Sequence, residues 1–164
     1  MAIKLIEEQG VESLTMRDVA SRLGAATSAL YRHVADKEAL LLLAADQILA
    51  QIVVPERGDW YERLSSLVLS IRTTLGRYPG VSQYIFRRNP LTVNSRQHRD
   101  ALMEIFTDAG LDGAAAEDAL FAVYLLLAGD LTVGPRLDVS GRREEGRFTV
   151  ALEALLRGLG LKLP

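Results

Sequence analysis

Apolar residues recur at three- and four-residue intervals along almost the whole chain, and alternating period-two runs are absent, so the pattern predicts helix nearly throughout. Ala2, Ile3 and Ile6 form a first stripe that ends at Gly10, a residue suited to a left-handed stop. Thr15-Met16-Arg17-Asp18 has capping-box spacing, in which the Thr15 hydroxyl accepts from a first-turn amide and Asp18 reaches back. The helix it opens turns Val19, Ala20 and Leu23 inward and stops at Gly24. A third, short helix begins near Thr27, a good cap in its own right, and carries Leu30, Tyr31 and Val34. Asp36 caps a longer helix running to about Val53 and ended by Pro55.

Beyond the Pro55–Gly58 break the same periodicity predicts helices over Asp59–Tyr78, Val81–Arg88, Ser95–Ala109, Gly113–Leu131 and Glu144–Leu159. Pro79-Gly80, Asn89-Pro90 and Gly110 separate the first of these, and Thr132–Arg143, with Gly134-Pro135 and Ser140-Gly141, reads as a loop. The expected fold class is therefore all-α with about nine helices. The chain divides near residue 50: residues 1–50 form a three-helix unit with a linking fourth helix, and residues 51–164 form a larger apolar bundle.

Composition narrows the classes of function. The 164 residues suit one domain, or one with a small accessory domain. The 19 Lys and Arg against 21 Asp and Glu give a net charge of −2, which argues against sequence-blind nucleic-acid binding by an all-over positive surface. No cysteine is present, which removes disulfides, thiolate ligands and cysteine nucleophiles. With His33 and His98 the only histidines, no metal site is expected, and nothing in the chain calls for a cofactor. The longest apolar runs, Ala39–Ala45 and Ala119–Ala128, fall short of the roughly 20 residues a bilayer demands, so a soluble cytoplasmic protein with no membrane partner is expected.

The chemistry concentrates between Thr15 and Lys37. Two short helices joined by a glycine turn are the arrangement that presents one helix to the major groove of DNA. Ala20 is small where the two helices cross, and Gly24 can take a positive φ. Leu30 and Val34 anchor the second helix, leaving Thr27, Ser28, Ala29 and Arg32 outward. Hydroxyls serve several base edges, an alanine methyl meets a thymine methyl, and arginine prefers guanine.

Leu14-Thr15-Met16-Arg17-Asp18-Val19-Ala20, Leu23-Gly24, Leu30-Tyr31-Arg32-His33-Val34 and Lys37-Glu38-Ala39-Leu40 together resemble the DNA-binding domain of the TetR family of repressors, continuously over about residues 2–50. The closing segment from Arg147 to Leu159 resembles the last dimerising helix of many members. The resemblance implies that Thr15 and Arg17 contact phosphate at the start of the second helix, with Arg17 near the bases. It implies that Thr27, Ser28 and Ala29 read base edges, with Arg32 at the helix end. Tyr31 and His33, which alone would read as ordinary helix-surface groups, match phosphate-bonding positions, and Lys37 matches the phosphate-binding lysine that opens the fourth helix. Helix N-termini and Lys or Tyr donors suit such contacts.

The family usually carries a basic arm and a longer first helix before the position of Ala2, and this chain lacks them. The minor-groove contacts that such an arm supplies are therefore not assigned to any of these residues. Residues 1–50 hold five bases and seven acids, but residues 15–37 hold four bases and two acids, a thin basic face hidden in an acidic total.

The resemblance further implies a homodimer on a roughly palindromic double-stranded DNA operator, released by a small, largely apolar effector. Candidate effector-binding residues are Trp60, Tyr84, Met103, Phe106, Phe121 and Tyr124. Leu120, Val123, Leu127 and Leu131, with Phe148, Leu152, Leu155 and Leu159 of the last helix, form two stripes expected to build a four-helix dimer interface. His98 reads as a solvated histidine, since Asp100 falls on another helix face, and Arg87-Arg88 and Arg142-Arg143 read as solvated charges. No nucleophile–base pair, phosphate loop or HExxH helix suggests an enzyme. The alternative is a DNA-binding regulator controlled by concentration or a protein partner, with no effector.

Overall fold

The structure, a computed structural model, describes residues 1–88, 92–133 and 144–163. Among these, nine helices and no strand are present: α1 Ala2–Ser13, α2 Met16–Arg22, α3 Thr27–Tyr31, α4 Lys37–Leu49, α5 Trp60–Gly76, α6 Val81–Arg88, α7 Val93–Asp108, α8 Gly113–Thr132 and α9 Glu144–Gly158. The all-α expectation holds. The loop expected over Thr132–Arg143, with Arg142 and Arg143, falls largely outside the described residues.

Local side chains start most of these helices. Thr15 and Asp18 form the expected capping box: Asp18 N–H donates to Thr15 Oγ1 and Thr15 N–H to Asp18 Oδ2, both at 3.1 Å. Asp36 accepts from Ala39 N–H at 2.8 Å to open α4, and Asp112 accepts from Ala115 N–H at 3.0 Å to open α8. Asp59 opens α5 by accepting from the amides of Tyr61 at 2.8 Å and Glu62 at 2.9 Å. Thr27 does not cap α3; it is the first helical residue, and Ala26 stands at the cap with no side-chain bond. The chain is already extended at Ala26 (φ −69°, ψ 144°), so helical geometry starts one residue earlier than a Thr27 cap requires.

Two ends differ from expectation. The fourth helix stops at Leu49 rather than near Val53, because Gln51 and Ile52 donate to carbonyls only three residues back, at 3.1 and 3.0 Å, tightening the chain before Pro55. Gly10 breaks α1 without ending it: at φ 81°, ψ 169° it interrupts the helix, which resumes to Ser13.

The chain folds into two compact units, Met1–Ile52 with Thr73–Ser95, and Val53–Arg72 with Arg96–Pro164. The first is thus larger than the division near residue 50 suggests. Segment 73–95 joins it through specific contacts: Val11 N–H donates to the Pro79 carbonyl at 3.0 Å, the Tyr78 hydroxyl to Gln51 Oε1 at 3.0 Å, and Asn94 N–H to Asp46 Oδ1 at 3.1 Å. Its buried side chains include Ile6, Leu14, Val19, Leu30, Val34 and Ile48.

In the second unit the buried faces of α5 (Leu64, Leu67, Val68, Ile71), α7 (Leu102, Ile105, Phe106), α8 (Ala116, Val123, Leu127) and α9 (Phe148, Leu152, Leu156) supply the apolar interior. Polar ties fix the register of these helices. Arg72 Nε lies 2.6 Å from Asp130 Oδ2 with its guanidinium 5.2 Å from the Phe148 ring centre, the Tyr61 hydroxyl donates to Glu153 Oε1 at 3.1 Å, and Arg63 pairs with Asp108.

One expectation is corrected here. His98 is buried rather than solvated, because it lies four and seven residues before Leu102 and Ile105 on the inward face of α7. Five residues of the expected dimer stripes, Leu120, Val123, Leu127, Phe148 and Leu152, are buried within the single chain, with little surface open to a second copy. Leu131, Leu155 and Leu159 are half-buried. The apolar residues that α8 and α9 expose are Phe121 at 64%, Leu125 at 57% and Val150 at 68%. No helix of the described residues is long and apolar enough to cross a membrane.

Candidate nucleic-acid interface

The turn between α2 and α3 is built by backbone hydrogen bonds around Gly24. Its N–H donates to the Ser21 carbonyl and the Ala25 N–H to the Ala20 carbonyl, both at 3.0 Å. With Gly24 at φ 65° this is a Schellman close, which satisfies the last carbonyls of α2 and reverses the chain within three residues. Ala20 is almost fully buried beneath the turn. Leu30 and Val34, both buried, pin α3 from below.

With those anchors fixed, the rest of α3 faces out. Ser28, Tyr31, Arg32 and His33 are exposed, and Thr27 and Ala29 half-exposed, so hydroxyl, guanidinium, imidazole and methyl groups stand on one short helix and its C-terminal turn. Arg17 is exposed in the first turn of α2. The Thr15 hydroxyl is already engaged, donating to Asp18 Oδ2 at 2.6 Å while accepting from the Asp18 amide. Lys37 is half-buried and donates to the Glu12 carbonyl at 3.3 Å, which ties the start of α4 to the end of α1 and leaves two further N–H donors on the ammonium. All nine candidate residues lie in the first unit.

Sequence reasoning missed a polar cluster beside them. Tyr84 on α6 donates its hydroxyl to Glu38 Oε1 at 3.1 Å, and Arg88 Nε lies 3.5 Å from the same oxygen. Burial, reinforced by the Glu38 carboxylate, pushes the Tyr84 phenol up to about 12. Arg87-Arg88 is visible in the sequence as a basic pair, but its partner is some fifty residues away and no local signal marks it.

The candidate effector residues are divided between the two units. Trp60, Met103, Phe106 and Tyr124 belong to the second unit, with Phe106 fully buried and Trp60, Met103 and Tyr124 half-buried. Burial raises the Tyr124 phenol above its ordinary value. Tyr84 belongs to the first unit, with its hydroxyl on Glu38. Phe121, mostly exposed, lies outside the apolar interior of its unit and is corrected to a surface position. Among the described residues no group of three or more His, Asp or Glu side chains could hold a metal.

Comparison with known proteins agrees with this architecture. A family model described as "Bacterial regulatory proteins, tetR family" matches residues 1–44, and one described as "Tetracyclin repressor-like, C-terminal domain" matches residues 54–132. The tetracycline repressor protein class C of Escherichia coli is 30% identical over 132 residues, covering 78% of this chain and 60% of its own length. This chain therefore spans less than two thirds of that relative. The solved structure of TetR-Q116A from Acinetobacter baumannii AYE in complex with minocycline superposes with a TM-score of 0.81 at 28% identity, covering 97% of this chain and 92% of that one. BioQ with its natural double-stranded DNA operator superposes with a TM-score of 0.79 at 26% identity, covering 96% and 92%. From the helix-turn-helix geometry at the N-terminus to these matches along its length, the chain belongs to the TetR family.

Proposed function

We propose that this protein is a DNA-binding transcription regulator, acting as a ligand-responsive repressor on a roughly palindromic operator. The observation that carries this reading is the exposure pattern of α3. Leu30 and Val34 are buried while Ser28, Tyr31, Arg32 and His33 are exposed around a glycine turn, an arrangement with no evident use except recognition. Thr27, Ser28, Ala29 and Arg32 take the base edges. Arg17, Tyr31, His33 and Lys37 take phosphates, and Thr15 contributes by holding the first turn of α2 in place. The DNA complex of BioQ supports this assignment by likeness.

The protein acts as a homodimer. The mostly exposed Phe121 and Leu125, one turn apart on α8, and Val150 on α9 are the apolar surface from which the dimer is built. A small, largely apolar effector binds the second unit, in keeping with the minocycline complex of the similar repressor, and Trp60, Met103, Phe106 and Tyr124 are its contacts. Binding controls DNA affinity only if the effector favours one arrangement of the reading heads over another.

A mobility-shift titration on the DNA flanking the gene, repeated at rising salt, tests the proposal. Wild type should shift a specific fragment with an affinity that falls as salt rises. Arg17→Ala and Tyr31→Phe should weaken it. Absence of any specifically bound fragment overturns the repressor reading.

A further inference from the structure

Arg87 and Arg88 close α6 with two adjacent exposed cations, and the contacts proposed for α2, α3 and Lys37 leave them unused. Arg88 Nε lies 3.5 Å from Glu38 Oε1, and Tyr84, one turn earlier on α6, donates to that same oxygen at 3.1 Å. Glu38 is the second residue of α4 and directly follows Lys37. The C-terminal end of α6 is thereby moored beside the first turn of α4, whose opening residue Lys37 reaches the Glu12 carbonyl. An ion pair with side chains 64% and 49% exposed adds little to folding. Its consequence is electrostatic. Across Lys37, Glu38, Arg87 and Arg88 the charges are three cations to one anion.

We infer that the last turn of α6 is a second phosphate-binding element, in which Arg87 and Arg88 contact the duplex backbone flanking the half-site read by α3. Arg88 reaches Glu38, the residue after Lys37 in the first turn of α4, and the charge of the arginine pair suits a polyanion running past that turn. Glu38 holds Arg88 in place in the free protein and competes with phosphate for it. The inference rests on the DNA-binding reading and adds to it an element outside the helix-turn-helix motif. It also offsets the thin basic balance of residues 15–37.

The test is fluorescence anisotropy of the full chain on a labelled random-sequence duplex of about 30 base pairs, across a range of salt, because backbone contacts need no operator. Each lost phosphate contact should lower the slope of log affinity against log salt by about 0.9, so R87Q/R88Q should lower it by nearly two per bound subunit. R87K/R88K keeps the charge and should keep the slope. Glu38→Gln, which frees Arg88 and removes a competing anion, should tighten binding several-fold. A slope unchanged in R87Q/R88Q, while Arg17→Ala and Lys37→Ala lower it, overturns the inference and leaves the DNA-binding reading standing. Failure of the wild type to bind duplex, or indifference to Arg17→Ala and Lys37→Ala, overturns both.

Discussion

Replacing Gly10 with alanine should be among the most damaging single-methyl changes in the first unit. At φ 81° and ψ 169° Gly10 occupies a region essentially reserved for glycine, so any side chain there costs about 1–3 kcal/mol in backbone strain alone. Space adds to the cost. A Cβ on Gly10 would stand 3.3 Å from the Pro79 carbonyl oxygen and 3.5 Å from Pro79 Cβ. That carbonyl accepts the Val11 N–H at 3.0 Å, and moving it weakens a bond worth about 1 kcal/mol. The approach is reciprocal: a Cβ on Gly80 (φ 85°) would meet Val11 Cβ at 3.1 Å, so two glycines let α1 and the turn before α6 interlock. The total for Gly10→Ala is about 2–4 kcal/mol. Gly24→Ala is the internal control, because it also requires positive φ but has nothing within 4 Å of the added Cβ. It should cost only about 1–2 kcal/mol. Urea denaturation of both variants, compared at equal slope, measures the difference directly. Equal destabilisation by the two substitutions, within about 0.5 kcal/mol, would refute the reasoning that close approach to Pro79 matters.

Three further outcomes follow from the same contacts. Thr15→Ala removes the hydroxyl half of the capping box, leaving the residue-15 amide on Asp18, and should cost about 1 kcal/mol, lowering the thermal midpoint by about 2–4 °C, while Thr15→Ser keeps both halves; a differential scan of the three proteins decides. Phe121→Arg with Leu125→Glu should convert a dimer to a monomer in sedimentation without lowering helix content, and an unchanged mass would remove this face from the interface. The raised phenol of Tyr84, near about 12 against an ordinary 10, means that the fold favours the neutral form. That contribution to stability is complete below pH 10 and is lost as pH rises through 12, so spectrophotometric titration should show a late tyrosinate step that Tyr84→Phe reduces; its absence from wild type contradicts the Tyr84–Glu38 bond.

Features decided by neighbours in sequence are the ones legible without a structure. Thr15 and Asp18 stand three apart, Asp36 stands three before Ala39, and Gly24 follows directly on an apolar-faced turn, so cap chemistry alone places the start and end of α2 and the start of α4. The start of α3 is less legible, because Thr27 reads as its cap while Ala26 stands there without a side-chain bond. What escapes is decided at long range or by a choice between similar faces. α8 carries apolar side chains on nearly all sides, so periodicity cannot tell that Val123 and Leu127 turn in while Phe121 and Leu125 turn out. Gly10 reads as a helix stop because its partner, Pro79, lies in another segment. His98 carries a usable signal of burial in its spacing of four and seven residues from Leu102 and Ile105. The mooring of Arg88 to Glu38 carries none.

The claim on which the rest depends is that α3 reads DNA sequence. Selection of bound duplexes from a random pool by the full chain measures it and requires no operator to start from. The account predicts enrichment of a roughly palindromic sequence whose half-sites are centred about 10–10.5 base pairs apart, or a multiple of that, with the preferred bases altered in a parallel selection by Ser28→Ala or Arg32→Ala. A pool that stays unenriched, or an enriched sequence indifferent to both substitutions, contradicts it.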